Sequence, residues 1–245
     1  MKKLSLFLLV GIFVLFFTAC DEKMDPNNPQ SVRRAITKQQ IAFTPNQFVS
    51  YAVAGDTAKM TLFLQAAFEI DRPDDNGNNA VAMVVNQGKL DVLTYLFSKG
   101  AKANVFNSKN EHVVDNAVVM GHHEILKLLI SQLKKEDVEL ANITSAVVYA
   151  SKIGATESLK ILGDAGVPLE TRGADGYFPI HLAVKGGHYD AMMYLISKGV
   201  DLNVTCNQKY SVLDWAKNEG YTRLISALRK AGAKHTPAYL KEFGR

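Results

Sequence analysis

"GYFPIHLAVKGGHYDAMMYLISKGVDLN", Gly176 to Asn203, sets the reading of the whole chain. Gly187 precedes an amphipathic run and Gly199 closes it, with apolar residues between them at helical spacing. Steps of 33 residues from Gly187 land on Gly55, Gly88, Gly121, Gly154 and Gly220 without an insertion. A second series, twelve residues later, holds Ala67, Gly100, Leu133, Gly166, Gly199 and Gly232. A fixed period of this length marks a stack of identical supersecondary units.

The glycines explain the punctuation. Each unit reads as two short helices joined by tight turns, and each glycine closes a helix in a left-handed backbone conformation that costs glycine little. Between them lie "DVLTYLFS", "EILKLLIS" and "DAMMYLIS". Leu93, Leu96 and Phe97 recur at 3.6-residue spacing, as do Leu126, Leu129 and Ile130. The pattern predicts an all-α solenoid of helix-turn-helix units with short hairpin loops.

Gly176, Pro179, Ile180, His181, Ala183, Gly187, His188, Leu195, Gly199, Asp201 and Asn203 place the stretch in a known pattern. It resembles the ankyrin repeat, G-x-T-P-L-H-x-A, then G-H, then L-L-x-x-G-A-D-V-N. The resemblance runs over about residues 44 to 235 and implies an ankyrin-repeat solenoid of about six units, caps included.

The other units depart from the pattern. Residues 77–104 keep Gly77, Gly88, Gly100 and Asn104 but lack T-P-L-H; the next unit has Asn110 for the hairpin glycine and Leu133 at the helix stop. Gly163 falls inside a second helix, where glycine costs about 1 kcal/mol against alanine. Because repeat stability is close to a sum over neighbours, residues 107–170 are expected to be the softest part of the stack. Amide hydrogen exchange checks this: protection highest in that segment would contradict it.

The ends read as caps. Thr44-Pro45-Asn46-Gln47 is a capping-box sequence with proline at the first helical position. "SVRRAITKQQIAF" upstream suggests a covering helix, and the last helix carries Arg223, Arg229 and Lys230 toward water.

The first twenty residues, "MKKLSLFLLVGIFVLFFTAC", have the three-part build of a secretory signal. The apolar run Leu4–Phe17 is short for a membrane span, which needs roughly 20 residues. "FTAC" is similar to a bacterial lipoprotein cleavage site, with Phe17 where leucine is usual. The resemblance implies a signal peptide over 1–19, a lipidated Cys20, a polar tether to residue 31, and a repeat domain over 32–245. It implies an exported bacterial lipoprotein of the cell envelope, facing the periplasm or on the cell surface. Several acyl chains would anchor it firmly. Cys206 then stands alone, and the core must hold without disulfides.

Charge excludes little but is informative. Net charge is +4, or +2 once Lys2 and Lys3 are set aside, with no clustered basic stripe, so nucleic acid is not an expected partner. There is no G-x-S-x-G elbow and no phosphate loop. His122, His181 and His188 occupy positions where ankyrin repeats carry structural histidines. With Phe178 in place of the usual threonine, His181 is expected to bond backbone. His122 and His123 diverge by about 100° on a helix and make a poor metal pair. "DRPDDNGNN" reads as a hairpin tip rather than a calcium loop, because Pro73 takes a ligand position. No cofactor, metal or catalysis is expected.

Solenoids bind on the concave face. The ankyrin resemblance implies contact through hairpin tips and inner-helix ends. In this sequence the tips hold Asn78, Glu111, Thr144, Tyr177 and Tyr210. The helix-end positions hold Asn86 and Gln87, Val119 and Met120, Lys152 and Ile153, Lys185 and Gly186, Asn218 and Glu219. Tyr177 and Tyr210 are expected interface anchors, Val119, Met120 and Ile153 are apolar where solvent is expected, and Lys152 and Lys185 add charge. The expected function is non-enzymatic binding of another protein by a monomer held at the membrane. A stress-protective accessory of an envelope enzyme and a secreted effector are the alternatives.

Overall fold

A computed structural model of the chain describes residues 24–243. The expected signal peptide and Cys20 lie outside the described residues. Six helix pairs stack in order: α2 (Pro45–Ala54) with α3 (Thr57–Gln65), α4 (Ala80–Asn86) with α5 (Leu90–Ser98), and α6 (Val113–Val119) with α7 (His123–Lys135). Then come α8 (Thr144–Ile153) with α9 (Thr156–Asp164), α10 (Pro179–Lys185) with α11 (Tyr189–Ser197), and α12 (Val212–Asn218) with α13 (Thr222–Lys230). α1 (Pro29–Lys38) precedes them and α14 (Pro237–Phe243) follows. Among the described residues there is no strand, only one isolated bridge between Phe106 and His112, and no helix is long and apolar enough to cross a membrane.

The even-numbered helices α2 to α12 form the inner row, each packed on the next. Most are seven residues long and buried nearly all round, which is why α4 reads AVAMVVN with no polar face to spare. Five of the six outer helices are nine-residue amphipathic segments that bury one stripe, such as Val92, Leu93 and Leu96 on α5. All six glycines of the first series have positive φ, from 69° to 81°. In the second series Ala67 takes the same left-handed turn at φ 57° without being glycine.

Both ends are closed. Four rings, Phe43, Phe48, Phe63 and Phe68, pack under the first pair with centroids 4.7–5.9 Å apart. α1 covers them with Val32 and Ile36, and Arg33 Nε donates to the Ala66 carbonyl at 2.8 Å. This helix starts at Pro29 with Asn28 as its cap, so the last three residues of the expected tether are helical. Thr44 caps α2 by accepting from Gln47 N at 3.3 Å, while both halves of a capping box are formed at Ser211 and Asp214. At the far end Asp214 accepts from His235 Nδ1 at 2.7 Å and from Thr236 N, pinning the chain that leads into α14.

One unit breaks the pattern. With Leu133 in place of glycine and helix formers through Lys135, α7 runs to 13 residues, and Asp137 makes the left-handed stop four residues late at φ 54°. Only Val138 to Ile143 remain before α8, and they fold as a short 3-10 turn (Leu140–Ile143), not a hairpin. Thr144 is therefore the first residue of α8 rather than a hairpin tip, contrary to its register position. Gly163, by contrast, is a close approach: a Cβ there would meet Tyr194 Oη at 2.4 Å.

Candidate protein-binding face

Four hairpins project beside the inner helices, closed by Asp74–Asn78, Asn107–Glu111, Gly173–Tyr177 and Cys206–Tyr210 backbone bonds of 2.8–3.1 Å. Neighbouring hairpins are tied together where both exist. Asn78 Oδ1 accepts from Ser108 N and Asn207 Nδ2 donates to the Asp175 carbonyl, while at the start of the stack Asn46 on α2 accepts on Oδ1 from Asp75 N of the first hairpin. Beyond Glu111 the next hairpin is missing. A cleft of about 460 Å³ opens there, between the 107–111 hairpin and α8.

Its floor is polar. Asn116 Nδ2 donates to Asn86 Oδ1 at 2.7 Å, and Asn107 Nδ2 donates to Glu111 Oε2 at 2.8 Å. Asp115, only 6% exposed, accepts the Ser145 hydroxyl on both oxygens at 2.8 and 3.0 Å. Burial pushes its carboxyl up to about 6; the Ser145 hydroxyl opposes this and the nearby Glu111 charge adds to it. The rim is apolar: Met83, Val119, Met120 and Tyr149. Val119 and Met120 are 53% and 54% exposed, and Ile153, one unit on, is 46% exposed.

The tyrosines lie elsewhere. Tyr177 and Tyr210 both pack on Trp215, ring centroids 5.8 Å away in each case, and Lys185 Nζ sits 4.8 Å from Tyr177 and 4.9 Å from Trp215. Trp215 Nε1 donates to buried Cys206 Sγ at 3.4 Å. Tyr177, Tyr210 and Lys185 thus form one aromatic cluster over the last two units, and much of each tyrosine face is already used. Lys152 is exposed, and its carbonyl accepts from His188 Nε2 at 3.0 Å. Met83, Asn116 and Tyr149 fill a further concave column that the sequence reading passed over. They fall 33 residues apart, one helical turn before Asn86, Val119 and Lys152, so the same register identifies them.

The histidines are structural. His181 is fully buried and donates from Nε2 to the Tyr210 carbonyl at 3.1 Å. His112 caps α6, its Nδ1 accepting from Val114 N at 3.1 Å. Burial lowers both to about 4. Among the described residues no three His, Cys, Asp or Glu side chains are grouped to hold a metal ion.

Comparison with known proteins agrees with this architecture. Residues 146–238 match the family model described as ankyrin repeats (3 copies), and residues 81–130 match ankyrin repeats (many copies). The two matches cover more than half of the chain, which belongs to the ankyrin-repeat family. The crystal structure of an ankyrin repeat domain from Acinetobacter baumannii AYE superposes with a TM-score of 0.69 at 21% identity, covering 76% of this chain and 98% of that one. Human transient receptor potential cation channel subfamily A member 1 is 27% identical over 174 residues, 67% of this chain but 16% of the channel. L-asparaginase of Dirofilaria immitis is 22% identical over 185 residues, 75% of this chain and 31% of that protein. The chain therefore spans less than a third of these two relatives, and the likeness lies in the repeats.

Proposed function

We propose that the protein is a non-enzymatic adaptor that binds another protein on the concave face of its stack, as a monomer tethered to the bacterial envelope by a lipid on Cys20. The observation that carries the binding reading is the run of Val119, Met120 and Ile153. These are large apolar side chains at the ends of consecutive inner helices, about half exposed where nothing in the fold covers them. Scattered exposed apolar residues need no explanation, but these fall in adjoining register positions beside a cleft. A rigid stack presents such a row without further ordering, which lowers the cost of association. The tether rests on the pattern of residues 1–20.

The test is a cross-linked pull-down from an envelope extract with the full chain and with a Val119→Ser/Met120→Ser/Ile153→Ser variant. The expected result is a protein captured by the native chain and lost, at least tenfold, with the variant. Equal capture by both would overturn the placement of the face. Metabolic labelling with a radioactive fatty acid, lost on Cys20→Ala, is the expected sign of the anchor. Tyr177 and Tyr210 are poorer probes, because their removal also strips the packing from Trp215.

A further inference from the structure

The cleft left by the missing hairpin has a chemistry of its own. Its two acidic side chains, Asp115 and Glu111, take part in no ion pair among the described residues, and Asp115 holds its carboxylate deep against the Ser145 hydroxyl. The one cation on the lining, Lys109, stands exposed at the hairpin tip. Asp115 sits in the register position that His181 fills in the fifth unit, where the neighbouring hairpin supplies a carbonyl acceptor. In the third unit no such hairpin exists; the Ser145 hydroxyl is the partner instead, and the buried acid lines the cleft. A carboxyl held up to about 6 in such a place is destabilising for the chain alone, which is common where a group is kept for a ligand.

Resting on the adaptor reading, we propose that this cleft binds an extended segment of the partner protein through one Lys or Arg side chain. Its cationic head pairs with Asp115 and Glu111, and its aliphatic stem and apolar neighbours lie on Val119, Met120 and Met83. The sizes agree: 460 Å³ exceeds one basic side chain and leaves room for a flanking apolar residue. The chemistries agree as well. A cation reaching the buried Asp115 carboxylate and the half-buried Glu111 forms charge-assisted bonds about twice as strong as neutral ones. Long basic side chains characteristically lay apolar stems on apolar walls. A purely acidic or purely apolar segment satisfies only part of this lining.

The experiment uses the full chain in mild detergent and fluorescein-labelled pentapeptides, acetylated and amidated, with Leu or Val flanking a central Arg, Lys, Gln or Glu. Polarisation titrations are expected to show Arg and Lys peptides binding at least tenfold more tightly than the Gln peptide, and the Glu peptide weakest. Asp115→Asn/Glu111→Gln should erase that preference, and Met120→Ser should weaken all peptides alike. Circular dichroism melts confirm that each variant is folded. Arg and Gln peptides binding equally, or an Arg preference surviving Asp115→Asn/Glu111→Gln, would refute the proposal. No peptide binding, beside a protein captured through Val119, Met120 and Ile153 in the pull-down, refutes it too while leaving the adaptor reading intact.

Discussion

Gly154→Ala is expected to lower the unfolding free energy by about 3 kcal/mol, and Gly121→Ala by only about 1. Both glycines hold a left-handed turn, with φ 71° and 70°, so both substitutions carry the same backbone strain. They differ in what stands over them. A Cβ on Gly121 meets nothing within 4 Å, whereas one on Gly154 meets the His188 ring at 2.4 Å. That ring cannot simply swing away, because its Nε2 donates to the Lys152 carbonyl across the unit boundary. The G-H pair of the repeat is thereby explained: the histidine of one unit lies on the bare Cα of the unit before. Denaturant titration of Gly154→Ala, His188→Ala and the double variant checks it. The double variant should cost less than the sum of the singles, because removing the ring removes the clash. Simple additivity would show that the ring contributes nothing.

The second large effect is in the pH dependence. His112 and His181 are neutral in the fold, with values near 4 against 6.5 in the unfolded chain. Between those limits the unfolded chain binds more protons, so their contribution is intact above pH 6.5 and is lost as pH falls toward 4. Each is worth on the order of 3 kcal/mol at full protonation. Asp115 acts oppositely. Its folded value is about 6 against 3.8, so the folded chain binds the extra proton, and stability falls as pH rises from 3.8 to 6. Two histidines against one carboxyl leave a net rise in stability of roughly one proton, about 1.4 kcal/mol per pH unit, across this window. In Asp115→Asn the opposing group is gone. The slope should approach two protons, and at pH 7 the variant should be more stable than the native chain by about 1–3 kcal/mol. Urea midpoints at pH 4.5, 5.5 and 6.5 read both quantities, and an unchanged slope in Asp115→Asn would contradict the assignment.

Much of the fold is written in local chemistry. The 33-residue glycine register, the apolar inner helices and the amphipathic outer ones follow from conformational preference and periodicity, and six helix pairs stand where they point. The exposed column Val119, Met120 and Ile153 is legible for the same reason. Three features are not. Leu133 marks a lost stop, yet where α7 ends depends on Lys134 to Asp137 finding the next left-handed turn, and the missing hairpin follows only from that. The pairing of Ser145 with Asp115 joins residues 30 apart and requires the stack to exist first. Tyr177 and Tyr210 look free in sequence because nothing local shows that both will lean on Trp215.

The shortened loop between α7 and α8 also sets where the stack can give. In a linear array each joint is only as stiff as the bonds across it. The joints at Asn46–Asp75, Asn78–Ser108 and Asp175–Asn207 are stitched by a side chain to the next hairpin's backbone or back to the one before, but the two joints flanking the fourth pair have no finger between Glu111 and Gly173 to stitch. The first of these joints is crossed by Ser145 to Asp115 on the inner row, by Lys134 Nζ donating to the Ala165 carbonyl on the outer row, and by helix packing between them. The protein is therefore two stitched rulers meeting at the unstitched fourth pair, and the cleft lies at the leading edge of that pair. A guest seated there acts as a splint, standing in for the absent finger and turning the two rulers into one.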